Sequence, residues 1–589
     1  MTFSNLETYP NMLNIEAAIA EKFPDLQTKK TGKLAISLIK ALTHEDEINQ
    51  FIDTNQHLKG FAFLNAVLDH FNFSYKISSK ATHRIPANGR VIMVANHPIG
   101  SLDGLALLKM VRSIRPDVQI VASDLLNHIE PLKSLFLGID NISGKPSHKQ
   151  QFKAMVNALE NEQAVIIFPA GEVSRIRPNG VRDGKWKSGF LKLAKITKAP
   201  IQPIYIDAKN SSLFYALSTL YKPLGTLMLV KEMFNKNYQE IQFFVGKQIP
   251  WKSIENSELP TKQLANQFRK HLYLLDKENK QVKKGKQTYF KTIETVAHPV
   301  DRQALKKALK KSPLLGQTQD GKKIYLYDFE DDSPVMHEIG RLRELTFRTV
   351  EEGTGGAIDL DLYDVRYRHL ILWDNEDLEI VGAYRIGECQ EIVEQHGNKG
   401  LYTSTLFHLK PEIDNYLPNA IELGRSFVQP KYWGKRSLDY LWYGIGAYVA
   451  QHPNIKYLFG PVTLSDAYPQ NAKELIIGFF EQQFGSKQDL AKGIRPVKLG
   501  QNNQQIAQEI FSGDYKESYK KLNALLDLEG VKVPTLFKQY AEVADDKGCR
   551  FIDFSIDPDF NDCIDALILV ELDKLKPKKR ERYLNPIKG

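Results

Sequence analysis

The sequence predicts an α/β protein built from two successive α/β domains, and three observations carry that prediction. Between residue 90 and about residue 275, short β-branched apolar runs alternate with helical patterns, the arrangement that yields a largely parallel sheet covered by helices. A polar, basic stretch at 276–286 then breaks the pattern in the manner of a linker. A second alternating region opens near Lys322 and runs to about residue 485. With 589 residues, 42% of them hydrophobic and 25% charged, the chain has enough apolar sequence to fill more than one core.

In chain order, residues 1–80 read as a helical N-terminal region. The stretches 15–23 and 33–42 carry apolar residues at helical spacing, Thr43 is an N-cap candidate, and 61–71 is apolar enough to cap the next domain or to touch lipid. Residues 81–275 form the first α/β domain. Its strands are expected at Val91–Ala95, 118–122, 164–168 and 201–206, and its helices at 105–111, 150–160 and Gly189–Thr197. Residues 276–320 are a basic linker and helix, the helix spanning 302–311. Residues 321–589 form the second domain. Its polar segment 486–530 reads as an insertion, and a closing helix and strand lie at 534–544 and 550–556.

Composition also excludes classes. Three isolated cysteines, Cys389, Cys549 and Cys563, have neither disulfide-scaffold nor metal-type spacing, so no metal site is expected. The N-terminus shows no signal-peptide pattern, and no apolar window is long enough to span a bilayer. The expected location is therefore cytoplasmic, with peripheral contact at the inner membrane. A net charge of +9 suits an anionic membrane surface or an acidic carrier protein. Zinc-finger, RRM and P-loop patterns are missing, so nucleic acid is not the expected partner.

The densest chemistry in the first domain follows the strand Val91–Ala95, in Asn96-His97-Pro98-Ile-Gly100-Ser-Leu-Asp103-Gly104. Pro98 biases His97 to an extended conformation where strand meets loop. A His held by Asp103 is a general base able to deprotonate an attacking hydroxyl; a core histidine followed by an Asp helix cap is the alternative. Further on come Gly138-Ile-Asp-Asn, Phe168-Pro169-Ala170-Gly171-Glu172-Val-Ser-Arg175, Trp186-Lys187-Ser-Gly189 and Ala199-Pro200-Ile-Gln-Pro203. The Gly-containing turn after a strand, with Arg175 and Lys187, suits an anionic group.

In that order, these blocks resemble the lysophospholipid (glycerophosphate-type) acyltransferase family over residues 85–210. The resemblance implies a glycerophosphate-acyltransferase-like α/β fold, His97 as base, Asp103 orienting it, and Phe168, Pro169, Gly171, Glu172 and Arg175 at the acceptor. Backbone N–H groups near Gly100 or Gly171 would face the oxyanion. The His-to-Asp spacing is one residue longer than the family's usual form, and Ala170 stands where a Glu is common, with Glu172 displaced. Both departures weigh against a glycerol-phosphate acceptor, and the longer Asn96-His97-Pro98 to Asp103-Gly104 form resembles the haemolysin-like subgroup, which includes the O-acylating halves of bacterial aminolipid synthases.

The second domain carries Arg343 and Phe347 on a helix, Asp361 and Asp364, Arg385 on a strand, Glu422-Leu-Gly-Arg425, and Gly434 in a turn before a helix at 438–450. A Gly turn at a helix N-terminus exposes N–H groups suited to a phosphopantetheine arm. Glu422 is either an amine-deprotonating base or half of a buried ion pair with Arg425. As an ordered set these residues resemble the GNAT-like N-acyltransferases that make lyso-ornithine lipids, relatives of acyl-homoserine-lactone synthases. The resemblance implies site roles for Arg343, Asp361, Asp364, Arg385 and Arg425, with Glu422 catalytic.

The two halves together resemble the bifunctional ornithine-lipid and glycine-lipid synthases. That implies N-acylation of ornithine or glycine with a 3-hydroxyacyl group, then O-acylation of the lyso-aminolipid. The co-substrate would be an acyl carrier protein or CoA thioester, with no tightly bound cofactor. A glycerophospholipid acyltransferase fused to a non-catalytic, carrier-binding GNAT-like domain is the alternative.

Overall fold

The computed structural model describes residues 44–121, 129–137, 148–178, 180–220, 229, 231–236, 239–275, 289–545 and 547–584. The expected helices at 15–23 and 33–42, the Thr43 cap, the block at 138–141 and the linker at 276–286 lie outside these residues. The chain divides into two compact units between residues 297 and 298.

The first unit opens with helices α1 (Glu45–Thr54) and α2 (Phe61–His70). Phe63, Leu64 and Leu68 of α2 are buried and join Val91, Met93 and Ala95 in one core, so the apolar 61–71 stretch covers the sheet. The strands are β1 (Ser74–Lys76), β2 (Val91–Ala95), β3 (Val118–Ile120), β4 (Ala164–Ile167), a small hairpin of β5 (Arg175–Arg177) and β6 (Gly180–Arg182), β7 (Ile201–Asp207) and β8 (Glu240–Val245). The main sheet has the order β1-β8-β7-β2-β4-β3. β7, β2, β4 and β3 run parallel, β8 is antiparallel to β7, and β1 is parallel to β8. β1 corrects the wholly helical reading of residues 1–80: its three residues pair in register with Glu240–Gln242 at the sheet edge, and the alternation Phe71-Asn-Phe73-Ser-Tyr75-Lys-Ile77 was the available signal.

β2 shows why its sequence is apolar at every position. Val91, Met93 and Ala95 enter the core under α2, whereas Ile92 and Val94 enter the core on the opposite face. A strand buried on both sides loses the polar alternation of a surface strand. The helix after β2, α3, spans Ser101–Arg112, so it starts earlier than expected and Asp103 sits within its first turn.

The second unit is a mixed sheet of eight strands. They are β9 (Leu314–Gln317), β10 (Lys323–Tyr327), β11 (Arg368–Asp374), β12 (Glu379–Glu388), β14 (Ala420–Val428), β15 (Tyr457–Leu464), β17 (Cys549–Asp557) and β18 (Cys563–Glu571), in the order β17-β18-β15-β14-β12-β11-β10-β9. A separate pair is formed by β13 (Phe407–Leu409) and β16 (Ala491–Gly493). β14 and β15 are parallel and the other neighbours in the large sheet antiparallel. The β14–β15 pairing covers only 420–422 against 457–459, after which the strands part. Gly460, with φ +145°, sits where they diverge, and a Cβ there would run into the Leu423 carbonyl.

Two polar segments are packed more deeply than their composition suggests. In the helix α4 (Arg302–Leu309), read as part of a basic linker, Leu305 and Leu309 pack with Val335, Met336 and Ile339 of α5 (Pro334–Thr349), leaving Lys306 and Lys307 on the other side. Its apolar pair at i and i+4 was the available signal. The 486–530 segment is likewise structural. Its helices Gln501–Ile510 and Tyr515–Leu528 bury Ala507, Leu522 and Leu526, and Phe511 just after the first helix joins them, in the core that also holds Phe479 and Phe480. Four buried anchors suffice for a segment whose other faces are polar, at roughly 1.5–3 kcal/mol for each large apolar side chain.

Candidate active sites

The first site stands at the carboxyl end of β2, where ligands bind in open parallel sheets. Asn96 ties this end down: its amide donates to the Ile206 carbonyl at 2.9 Å and accepts from the Ile206 N–H at 2.7 Å. His97 follows, with Nδ1 3.0 Å from Asp103 Oδ1; the imidazole is 21% exposed and the carboxylate fully buried. Asp103 is fixed by its own loop, accepting from the backbone N–H of Gly104 at 2.8 Å and of Ile99 at 3.1 Å. Phe168 stacks on the imidazole with ring centroids 4.3 Å apart.

Asp183 completes this environment and was not singled out from the sequence. Its Oδ1 accepts from Ser174 Oγ at 2.6 Å and from the His97 backbone N–H at 3.2 Å, and its Oδ2 accepts from Trp186 Nε1 at 2.9 Å. The Ser174 N–H donates to the His97 carbonyl at 2.7 Å. Burial would lower the His97 pKa, but the carboxylates of Asp103 and Asp183 outweigh it and hold the imidazole above its ordinary value. Burial raises the Asp183 carboxyl in turn.

The remaining first-site residues lie on the turn after β4 and on β5. The Gly171 N–H donates to the Phe168 carbonyl and the Lys187 N–H to the Pro169 carbonyl. Gly171 has φ +64°, and a Cβ there would stand 2.9 Å from Lys187 Nζ; glycine thus keeps an ammonium against the turn. Glu172 and Arg175 are 3.8 Å apart, and Arg175 also donates to the Ser218 carbonyl at 3.3 Å.

The second unit gathers Arg343, Asp361, Asp364, Arg385 and Arg425 into one buried network, with Asp359 as a sixth member missed in the sequence. Arg343 reaches Asp359 at 3.1 Å and Asp364 at 2.7 Å. Arg385 reaches Asp361 at 2.6 Å and Asp364 at 3.3 Å. Arg425 reaches Asp361 at 3.1 Å and the Tyr402 hydroxyl at 2.9 Å. Burial opposes charge on Asp364, but Arg343 and Arg385 overcome it and hold the carboxyl well below the usual carboxylate range. His369, buried beside the two arginines, is pushed down to about 4.

Glu422 belongs to a different set. One carboxylate oxygen accepts from the Tyr367 hydroxyl, and the other accepts from the Thr403 N–H at 2.7 Å and the Thr403 hydroxyl at 2.6 Å. Burial raises its pKa. Beyond its pairing with β15, β14 borders a cavity of about 340 Å³ lined by Leu423, Gly424, Arg425 and Ser426 among others; Glu422 is outside that lining. Gly434 has φ +73° in the turn before the helix Ser437–Gln451, next to Trp433, which lines the cavity.

Residues 17–285 match the family model described as Acyltransferase, and residues 342–443 match the Acetyltransferase (GNAT) domain. The chain is 33% identical to a glycine N(alpha)-acyltransferase of Bacteroides thetaiotaomicron over 50% of its own length and 90% of that protein. It is 32% identical to a lyso-glycine lipid O-acyltransferase of the same organism over 42% of its own length and 92% of that protein. The chain belongs to the bifunctional aminolipid synthases. An L-ornithine N(alpha)-acyltransferase of Brucella abortus is 31% identical over 23% of this synthase and 46% of the relative. The synthase is an acyltransferase with a mixed α/β fold in each unit. Among its described residues no helix is long and apolar enough to cross a membrane.

Proposed function

We propose that the synthase makes a diacylated glycine lipid in two steps. The second unit transfers a 3-hydroxyacyl group from an acyl carrier protein or CoA thioester to the amine of glycine. The first unit then transfers a second acyl group to the 3-hydroxyl of that lyso-lipid. The observation that carries this reading is that one chain spans nine-tenths of two separate relatives, named for N-acylation of glycine and O-acylation of lyso-glycine lipid. Ornithine is the second reading, supported by the shorter match to L-ornithine N(alpha)-acyltransferases.

In the first unit, His97 takes the proton of the lipid hydroxyl as its oxygen attacks the thioester carbonyl. Asp103 holds the imidazole and balances the imidazolium that forms. Collapse of the tetrahedral intermediate expels the thiolate, which takes up the proton from His97. Lys187 and the N–H groups of the Gly171 turn suit the anionic end of the acceptor. In the second unit, Arg425 at the cavity wall suits the amino acid carboxylate, and Glu422 braces the wall through Tyr367 and Thr403. The lyso-lipid is amphiphilic, so the enzyme meets it at the surface of the cytoplasmic membrane.

The test is lipid mass spectrometry of a bacterium without aminolipids that expresses the chain. Wild type is expected to give mono- and diacylated glycine lipids, and His97→Ala only the monoacylated form. Ornithine lipids in place of glycine lipids would establish the second reading. Altered phospholipid acyl composition with no aminolipid would overturn both.

A further inference from the structure

The cavity of the second unit has an unbalanced wall. Among the described residues that line it, Arg425 is the one guanidinium, whereas Glu352, Asp557 and Asp565 all contribute carboxyl groups. The three come from separate elements: Glu352 from the turn after α5, Asp557 from the end of β17 and Asp565 from β18. Asp565 is 4% exposed and oriented by the Thr463 hydroxyl, which donates to its Oδ1 at 2.7 Å. Tyr384 lines the same space and is 98% buried, its hydroxyl beside the hydrogen-bonding groups of Ser426, Tyr540 and Trp442. Three carboxyl groups around a single guanidinium describe a pocket shaped for a ligand that brings a cation as well as a carboxylate.

We propose that Glu352 and Asp565 act together as the base of the N-acyl transfer, taking a proton from the substrate ammonium while Arg425 holds the substrate carboxylate. This rests on the reading of the second unit as an amino acid N-acyltransferase. The pair accepts one proton from the ammonium, and the neutral amine attacks the thioester carbonyl, forming the C–N bond. The carbonyl oxygen becomes an oxyanion. Collapse breaks the C–S bond. The remaining ammonium-type proton on nitrogen passes to the departing thiolate, and the proton first taken leaves to solvent from the pair.

Burial and the neighbouring Asp565 push Glu352 up to about 8, and burial pushes Asp565 up to about 7. Asp557, Cys563, Tyr402, Tyr468 and the opposing charge of Arg425 face the same pair. The base form is the ionised one, so N-acylation is expected to rise with pH through these values.

The experiment uses the full chain, glycine and a synthetic 3-hydroxyhexadecanoyl thioester offered on CoA and on acyl carrier protein, following N-acylglycine by mass spectrometry. Glu352→Gln and Asp565→Asn are each expected to lower kcat about 10²-fold or more near neutrality, with KM for glycine little changed and the acid limb of the pH profile altered. Both should recover towards wild type at pH high enough to deprotonate free glycine. A thioether analogue of the acyl-CoA, added as a binding probe, should bind both variants as it binds wild type. Unchanged rates, lost analogue binding, or a deficit that persists at high pH would each overturn the inference. A wild-type chain that acylates no amino acid would overturn the underlying reading as well.

Discussion

The two units solve the burial of polar chemistry in opposite ways. In the first, a single imidazole with a partly open face is served by two carboxylates, Asp103 and Asp183, whose hydrogen bonds hold the loop around it. In the second, three arginines and three aspartates are mostly one another's partners, and the open space lies beside them. A motif therefore means different things in the two halves: on the proposed function it marks reacting groups in the first and a frame that shapes the reacting space in the second.

The largest expected effect is at His97. His97→Ala should lower O-acylation about 10²- to 10⁴-fold and leave N-acylation intact, measured as build-up of the monoacylated lipid. Next is the frame. Asp364→Ala strips Arg343 and Arg385 of a shared partner and leaves buried positive charge, which should cost about 3–5 kcal/mol. Urea unfolding of the full chain followed by N-acylation activity would register it, with O-acylation less affected.

Asp183→Asn tests the tuning of the first site. Its carboxylate helps hold the His97 pKa above the ordinary imidazole value, and the base form is the neutral one. Losing that charge should move the acid limb of O-acylation to lower pH; a limb that stays put would leave Asp183 only a loop tie. The smallest effect is expected from Glu422→Gln, because an amide can still accept from Thr403 and donate to the Tyr367 hydroxyl. A loss of N-acylation beyond about 10²-fold would instead make Glu422 itself the base and dissolve the contrast between frame and reactive space.

What the sequence made legible follows the same divide. His97 and Asp103 are close in the chain and joined by one tight loop, so local reading brings them together. Asp183 comes to His97 from far along the chain, just after a hairpin that Pro178-Asn179-Gly180 announces in the sequence, but a local turn signal does not say which distant group the chain then reaches. Arg343, Asp361, Asp364, Arg385 and Arg425 form an ordered pattern that the fold gathers into one network, and Asp359 completes it two positions before the first aspartate of that pattern. Glu352 and Asp565 left no trace, since only the parting of β14 from β15 creates the space they share. Strand register also explains Glu422: its neighbour Leu423 lines the cavity, and alternation along β14 turns Glu422 to other partners.

Arg425 has φ +49° within β14, a left-handed backbone that costs a residue with a Cβ about 1–3 kcal/mol. The ring of Phe560, 4.1 Å from its guanidinium, and the carboxylate of Asp361 help offset that cost. Tolerance at this position should then run opposite to that of an ordinary strand. Glycine would relax the main chain while emptying the charge, valine would forfeit both, and lysine would keep the charge without the planar fork. On the proposed role of Arg425 toward the substrate carboxylate, a synthase with a different headgroup is one in which this backbone must be accommodated before the side chain is chosen.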